Sequence, residues 1–504
     1  MARLLLLTGK NLTREDFYAV VLENRRVALD PRARRAMQRS RALVEKMIRE
    51  KKVVYGVTTG FGSLSTEHIA PVQARQLQLN LVRSHACGVG EPLQDVETRA
   101  LLLLRANALA RGLSGVRPRV VGLLCDFMNR GVHPVVPSRG SVGASGDLAP
   151  LAHVALALLG EGEVVFRGRR ISAAAALEAI GRKPLRLAAK EGLALVNGTQ
   201  AMLALALLAL RKAEILINTA DVAGALSLDA LRGSPAAFDE RLLRARPHPG
   251  QLITARNLML LNRGSTIRKS HRDCPRLQDA YSLRCMPQVH GAVRDALAYA
   301  RRVFEIEMNS ATDNPLVFAR DGEVISGGNF HGQPLATALD LLAIVLTQLG
   351  SISERRIDRV VNPLTSELPP FLTASPGLES GFMMAQIAAA ALASENKVYA
   401  HPASVDSIPT SGNKEDFVSM GMGAALKLRP VVANVATILA IELLAATQAI
   451  DLLAPLRSGH LAEKARVLVR RVSARLTRDR SLSRDIARVS ELVRAGEFAE
   501  IVRP

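Results

Sequence analysis

Ala144-Ser145-Gly146, inside the run Ser141-Val142-Gly143-Ala144-Ser145-Gly146-Asp147-Leu148, has a chemistry open to it that no single side chain offers. Attack of the Gly146 nitrogen on the Ala144 carbonyl closes a five-membered ring. Loss of water from that ring and from Ser145 leaves an exocyclic methylidene, an electrophile that standard side chains lack. The same three small residues suit a tight turn, where glycine takes positive φ and lets backbone approach backbone. Taken alone, the triplet favours the turn. Its neighbours along the chain reverse that.

Tyr55-Gly56-Val57-Thr58-Thr59-Gly60-Phe61-Gly62 and Ser84-His85-Ala86-Cys87-Gly88 precede the triplet, and Asn197-Gly198-Thr199-Gln200 follows it. Next come Gln278-Asp279-Ala280-Tyr281-Ser282-Leu283-Arg284-Cys285, Asn309-Ser310-Ala311-Thr312-Asp313-Asn314-Pro315 and Gly327-Gly328-Asn329-Phe330-His331-Gly332. The last is His401-Pro402-Ala403-Ser404-Val405-Asp406-Ser407-Ile408-Pro409-Thr410-Ser411. In this order, from about residue 50 to about residue 425, these words resemble the aromatic amino acid ammonia-lyases, and within that family the histidine-acting branch. The resemblance implies a 4-methylidene-imidazol-5-one (MIO) ring made from Ala144, Ser145 and Gly146, with no external cofactor. It implies a carbon–nitrogen lyase that eliminates ammonia from L-histidine to give urocanate.

Roles follow residue by residue from the resemblance. Tyr55 matches the base that takes the β-proton, for which a phenol of pKa near 10 needs its phenolate favoured by nearby donors. Arg284 matches the substrate-carboxylate anchor, a task suited to the planar guanidinium fork. Gln278 and Tyr281 match further active-site positions. Asn197 matches the residue that hydrogen-bonds the imidazolone oxygen, although Asn before Gly is also a common turn pair. Phe330 matches a residue packed by the ring, and a core Phe reads the same way. Ser84-His85 stands where the histidine-acting branch has Ser-His, where tyrosine lyases have His-Leu and phenylalanine lyases Phe-Leu. A histidine there can hydrogen-bond an imidazole, and Glu415 is a second marker, able to accept an imidazole N–H or pair with imidazolium.

Several positions depart from the pattern. Thr58 replaces a usual Asn, Met286 a usual Gln, and His290 stands in a slot often filled by Met. Asn413-Lys414-Glu415-Asp416-Phe417 stands where Asn-Gln-Glu-Asp-His is usual, so Lys414 adds a cation at the pocket that can pair with Glu415. These departures keep open a lyase or 2,3-aminomutase acting on tyrosine or phenylalanine. A reading of another class is a decayed basic scaffold or nucleic-acid binder, against which the intact Ala-Ser-Gly, Tyr55 and Arg284 speak.

Elements must hold these words in place. The chain of 504 residues is 48% hydrophobic but only 3% aromatic, with no Trp, so Leu, Ala and Val must build the core and favour helix. Long apolar helical patterns cover 197–231, 285–311, 333–361, 379–399 and 422–455, as in the centre of a bundle. Residues 51–66 and 131–150 read as loops, 161–172 as a small hairpin, and 460–504 as an Arg-rich tail of one or two helices. The expected fold is mainly α: a catalytic domain over 1–195, a long-helix bundle over 196–460 and a helical tail over 461–504. By resemblance it is fumarase/aspartase-like and homotetrameric, with each active site lined by several subunits.

Cys87, Cys125, Cys274 and Cys285 show no paired spacing or metal-ligand pattern, which suits reduced thiols in a cytoplasmic protein. The four leucines after Arg3 are too short a run for a signal peptide. The apolar stretches at 193–210, 335–347 and 430–450 are broken by polar residues or stop at charges, so they read as buried helices rather than membrane spans. The net charge of +20 is scattered arginine without a nucleic-acid module, so solvated surface is expected rather than nucleic-acid binding.

Overall fold

The computed structural model describes residues 4–502 apart from Ser65, His68, Pro71 and 273–276, so Cys274 lies outside the described residues. The fold is mainly helical, as expected. The chain forms two compact units.

The first unit comprises Met1–Leu208, Arg302–Leu339 and Pro402–Leu426. Its helices begin where the sequence supplies caps. Thr13 accepts from the Asp16 amide ahead of Arg14–Leu22, and Asp30 caps Pro31–Arg49 with proline at the first turn. Pro118–Arg130 ends on Gly131 in the left-handed region. Asp95–Ala110 is buried along nearly its whole length, as its run of leucines and alanines requires. Short strands staple the loops between helices. Leu5–Leu7 pairs in parallel with Val27–Leu29, and Val89–Pro92 pairs antiparallel with Pro137–Arg139. Val132–Pro134, Glu163–Phe166 and Arg169–Ser172 form an antiparallel three-stranded sheet, the last two being the expected hairpin. A second hairpin, Leu316–Phe318 with Glu323–Ile325, docks through the Val317 amide on the Leu113 carbonyl at 2.8 Å.

The second unit comprises Ala209–Arg301, Asp340–His401 and Lys427–Pro504. The long helices are Gln200–Ala230, Met286–Met308, Gln333–Val361, Met383–Tyr399 and Gly421–Leu452, close to the expected spans. Gln333–Val361 and Gly421–Leu452 have the length and hydropathy to cross a membrane, yet 67% and 78% of their most apolar windows are buried inside the protein. The tail forms His460–Val472 and Ser483–Ala495. Within this unit a polar network lies wholly buried. Arg356 grips both oxygens of Glu442, which also accepts from Ser227 at 2.7 Å and Ser353 at 2.5 Å. His290, in its departed slot, places Nδ1 2.8 Å from Asp221 and Nε2 3.4 Å from Arg356, so the neutral ring donates to the one and accepts from the other.

Candidate functional site

Stretches of the first unit that lie far apart in the chain converge on one cavity of about 700 Å³. Its walls include Tyr55, Ser84, His85, Ala144, Ser145, Asn197, Phe330, Lys414 and Glu415. Nine residues singled out from the sequence thus share a cavity. Gly146 packs immediately beside them in the loop.

The loop's geometry explains its composition. Gly143 and Gly146 have φ of +68° and +75°. A methyl group on Gly146 would strike the Gly198 carbonyl, and one on Gly143 would strike Ser419 Oγ. Gly146 and Gly198 form a parallel bridge, and the Asp147 amide donates to the Gly198 carbonyl at 2.6 Å. Among the described residues the Gly146 amide donates to no acceptor. Asp147 precedes the helix Leu148–Leu158, and its buried Oδ2 accepts from the amides of Ala201 and Met202, at 2.8 and 2.9 Å, in the first turn of Gln200–Ala230. Two helix N-termini therefore meet beside the loop, where their dipoles favour negative charge. Burial pushes the Asp147 carboxyl up to about 6, against the pull of Met202, Ser141 and Ala201.

Ser145 donates from Oγ to Glu415 Oε1 at 2.9 Å. The other Glu415 oxygen accepts from Thr410 Oγ1 at 2.6 Å, and the two residues also pair through their backbones. Thr410 stands in the last of the matched words, and its role comes from this contact alone. Lys414 lines the cavity, yet among the described residues it makes no ion pair, so the expected pairing with Glu415 is not formed. Phe417 stacks on His331 at 6.1 Å between centroids, and the His331 Nε2–H donates to the Phe417 carbonyl at 3.2 Å.

Tyr55 lies on a turn that buried polar groups fix. Thr58 Oγ1 accepts from the Val54 amide at 2.9 Å and donates to the Lys52 carbonyl at 3.0 Å, so the side chain at this departed position braces the loop. Gln78, fully buried, ties the Gly56 carbonyl to the Leu193 amide. The Tyr55 oxygen accepts from the Gly62 amide at 3.2 Å. Ser84 and His85 end the helix Ala74–His85, with Ser84 Oγ 3.0 Å from His85 Nδ1. Burial lowers the His85 pKa; the Leu81 carbonyl and the Glu415 charge oppose this. Asn197 is buried, with Nδ2 on the Asn314 carbonyl at 3.1 Å and Oδ1 without a partner.

Gln278, Tyr281 and Arg284 belong to the second unit and do not line this cavity. Tyr281 is 70% exposed, and the Arg284 guanidinium lies 4.7 Å over its ring. Among the described residues Arg284 forms no ion pair, and its buried Nε has no partner. No cluster of metal-ligating side chains occurs among the described residues.

The family profile of aromatic amino acid lyases matches residues 12–471. Histidine ammonia-lyase of Koribacter versatilis is 58% identical over 99% of both chains. The crystal structure of histidine ammonia-lyase from Trypanosoma cruzi superposes with a TM-score of 0.91 at 45% identity, covering 99% of this chain and 95% of that one. Tyrosine aminomutase from Streptomyces globisporus superposes at 0.94 with 40% identity, covering 99% of this chain and 98% of its own. The fumarase/aspartase-like helical fold expected from the sequence is shared with both of these structures. The chain belongs to the aromatic amino acid lyase family.

Proposed function

We propose that this chain eliminates ammonia from L-histidine to give urocanate, using an MIO ring formed from Ala144, Ser145 and Gly146. The observation that carries the reading is the single cavity in which Ser145, Tyr55, Ser84-His85 and Glu415 meet. The loop fits the ring: a glycine is demanded at 146, its amide is uncommitted, and the Ser145 hydroxyl is held by a carboxylate. The ring supplies an electrophile that turns the substrate amine into a leaving group.

The chain's own residues do the rest. Tyr55 takes the β-proton, its oxygen oriented by the Gly62 amide. Asn197, buried beside the loop, would donate its remaining amide hydrogen to the imidazolone oxygen, and Phe330 would pack against the ring. Neutral His85 reads the imidazole by hydrogen bonding. Glu415 gains an acceptor oxygen once the Ser145 hydroxyl is gone, and that oxygen is then available to a substrate imidazole N–H. Lys414, uncommitted in the wall, tunes the same end of the cavity. Gln278, Tyr281 and Arg284 reach the substrate as contributions from a neighbouring subunit of a homotetramer, where the uncommitted Arg284 fork holds the substrate carboxylate. The setting is cytoplasmic, with reduced thiols and neither membrane nor nucleic acid as partner.

Intact mass and product analysis test this together. A chain lighter by two waters that converts histidine to urocanate supports the reading. An unmodified mass overturns it. A modified chain that yields a β-amino acid, or that prefers tyrosine or phenylalanine, assigns the site to the aminomutase or another aromatic lyase.

A further inference from the structure

Beside the Ala144-Ser145-Gly146 loop the first unit buries two cations against one shared carboxylate. Lys190, with no exposed surface, places Nζ 2.6 Å from Asp313 Oδ2, and Asp313 Oδ1 accepts from the Asn314 amide at 2.7 Å. Arg105 is 1% exposed and has no carboxylate partner of its own among the described residues. Its Nη1 donates to Gln200 Oε1 at 2.7 Å, its Nη2 donates to the Ala194 carbonyl, and its Nε is unpartnered. Burial brings the guanidinium down to about 10, with the Asp313 charge opposing. The other buried carboxylates nearby add little charge: Glu191 pairs with Arg117, while Asp147 accepts from two helix amides and Ser141, and Glu307 from Thr199, and burial raises both of these toward their neutral forms.

Gly198 stands between the Arg105 guanidinium and the loop. Arg105 Nη1 lies 2.5 Å from where a Gly198 Cβ would stand, and a Gly146 Cβ would stand 2.8 Å from Gly198 Cα. Both glycines are bare on the facing sides, so a guanidinium comes within one residue of the nitrogen that must attack.

We propose that the charge surplus of Arg105 and Lys190 over Asp313 drives closure of the ring. This rests on the reading that Ala144-Ser145-Gly146 cyclises. As the Gly146 nitrogen bonds to the Ala144 carbonyl carbon, the C=O π pair moves to oxygen. That oxygen then leaves as water with the protons of the Gly146 and Ser145 nitrogens, and Ser145 loses its α-proton and hydroxyl as a second water. Negative charge builds on the Ala144 oxygen in the first step, where a buried cation acts through a poorly screening interior. Arg105 and Lys190 touch neither substrate nor ring; they are positioning residues for the loop's own chemistry.

The test follows intact mass against time after synthesis, with the melting temperature recorded for each chain. Wild type is expected to lose two waters. Lys190→Met leaves Arg105 neutralised by Asp313, and closure should slow about ten-fold or more. Adding Asp313→Asn restores the net charge, so the double variant should mature faster than the single one although it carries a second lesion. Where Lys190→Met does not fold, Lys190→Gln, which keeps a hydrogen bond to Asp313, makes the same comparison. A wild type that never loses water removes the parent reading. Maturation of the wild type with Lys190→Met keeping pace overturns the proposal, as does a double variant no faster than the single one with rates that follow melting temperature.

Discussion

Ser145 is held by the residue that the proposed function later gives to the substrate. Its hydroxyl rests on Glu415, and Glu415 is oriented in turn by Thr410. Ser145→Ala keeps the loop but has no hydroxyl to lose. kcat should fall about three orders of magnitude, roughly 4 kcal/mol of barrier, with the melting temperature retained; substantial turnover would reduce Ser145 to a turn residue. Substrate choice belongs to this scale too. His85→Phe removes a neutral hydrogen-bonding ring, which should cost histidine roughly 1–3 kcal/mol and favour phenylalanine. Lys414→Gln should raise histidine turnover if that cation draws on Glu415 through space, since no ion pair joins them. kcat/KM for histidine, tyrosine and phenylalanine in wild type and both variants decides. A wild type preferring phenylalanine, with a ratio that His85→Phe leaves unmoved, would sink the histidine assignment and spare the lyase.

Among elements, Asp147 is the joint: its backbone starts one helix while its side chain receives the first turn of another. Its folded pKa of about 6 lies above the usual aspartate value near 3.9. That contribution to stability is complete below the unfolded pKa and is lost as pH rises through 6, about 3 kcal/mol across the window. Asp147→Asn keeps an acceptor for the helix amides and can donate to Ser141, so the loss of melting temperature between pH 4 and 7 should become shallower. Asp229, also raised to about 6 by burial, keeps its own share. An unchanged slope would show that Asp147 is not the group that titrates. The long helices were legible because alanine and leucine speak locally, and the hairpin at 163–172 because Arg167-Gly168 turns the chain. Val132–Pro134 and Pro137–Arg139 were not, within a stretch read as loop. Three-residue strands owe their existence to partners dozens of residues away. The hairpin at 316–325 was missed although it pairs locally, because three-residue strands are too short for an alternating pattern to register. At the site, matched words named the cavity's walls, while Thr410, Gln78 and Asp147 acquired roles only from contacts that spacing does not encode.

At the scale of the whole molecule, the first unit holds Tyr55 and the second holds Arg284. If sites are shared between subunits, Tyr55→Phe and Arg284→Lys chains, each nearly inactive alone, should regain measurable turnover when unfolded, mixed and reassembled. Mixed chains that stay dead would return every site to a single subunit. One more consequence lies in the cavity itself. Its aromatic residues are Tyr55, Phe61, Phe330 and Phe417, and no indole exists anywhere in the chain, which has five tyrosines in all. A conjugated ring at Ala144-Ser145-Gly146 would therefore absorb in a part of the near ultraviolet that the rest of the protein leaves dark. The molecule is transparent where its own reactive group would be coloured, so light passed through a cuvette could count how many chains are armed.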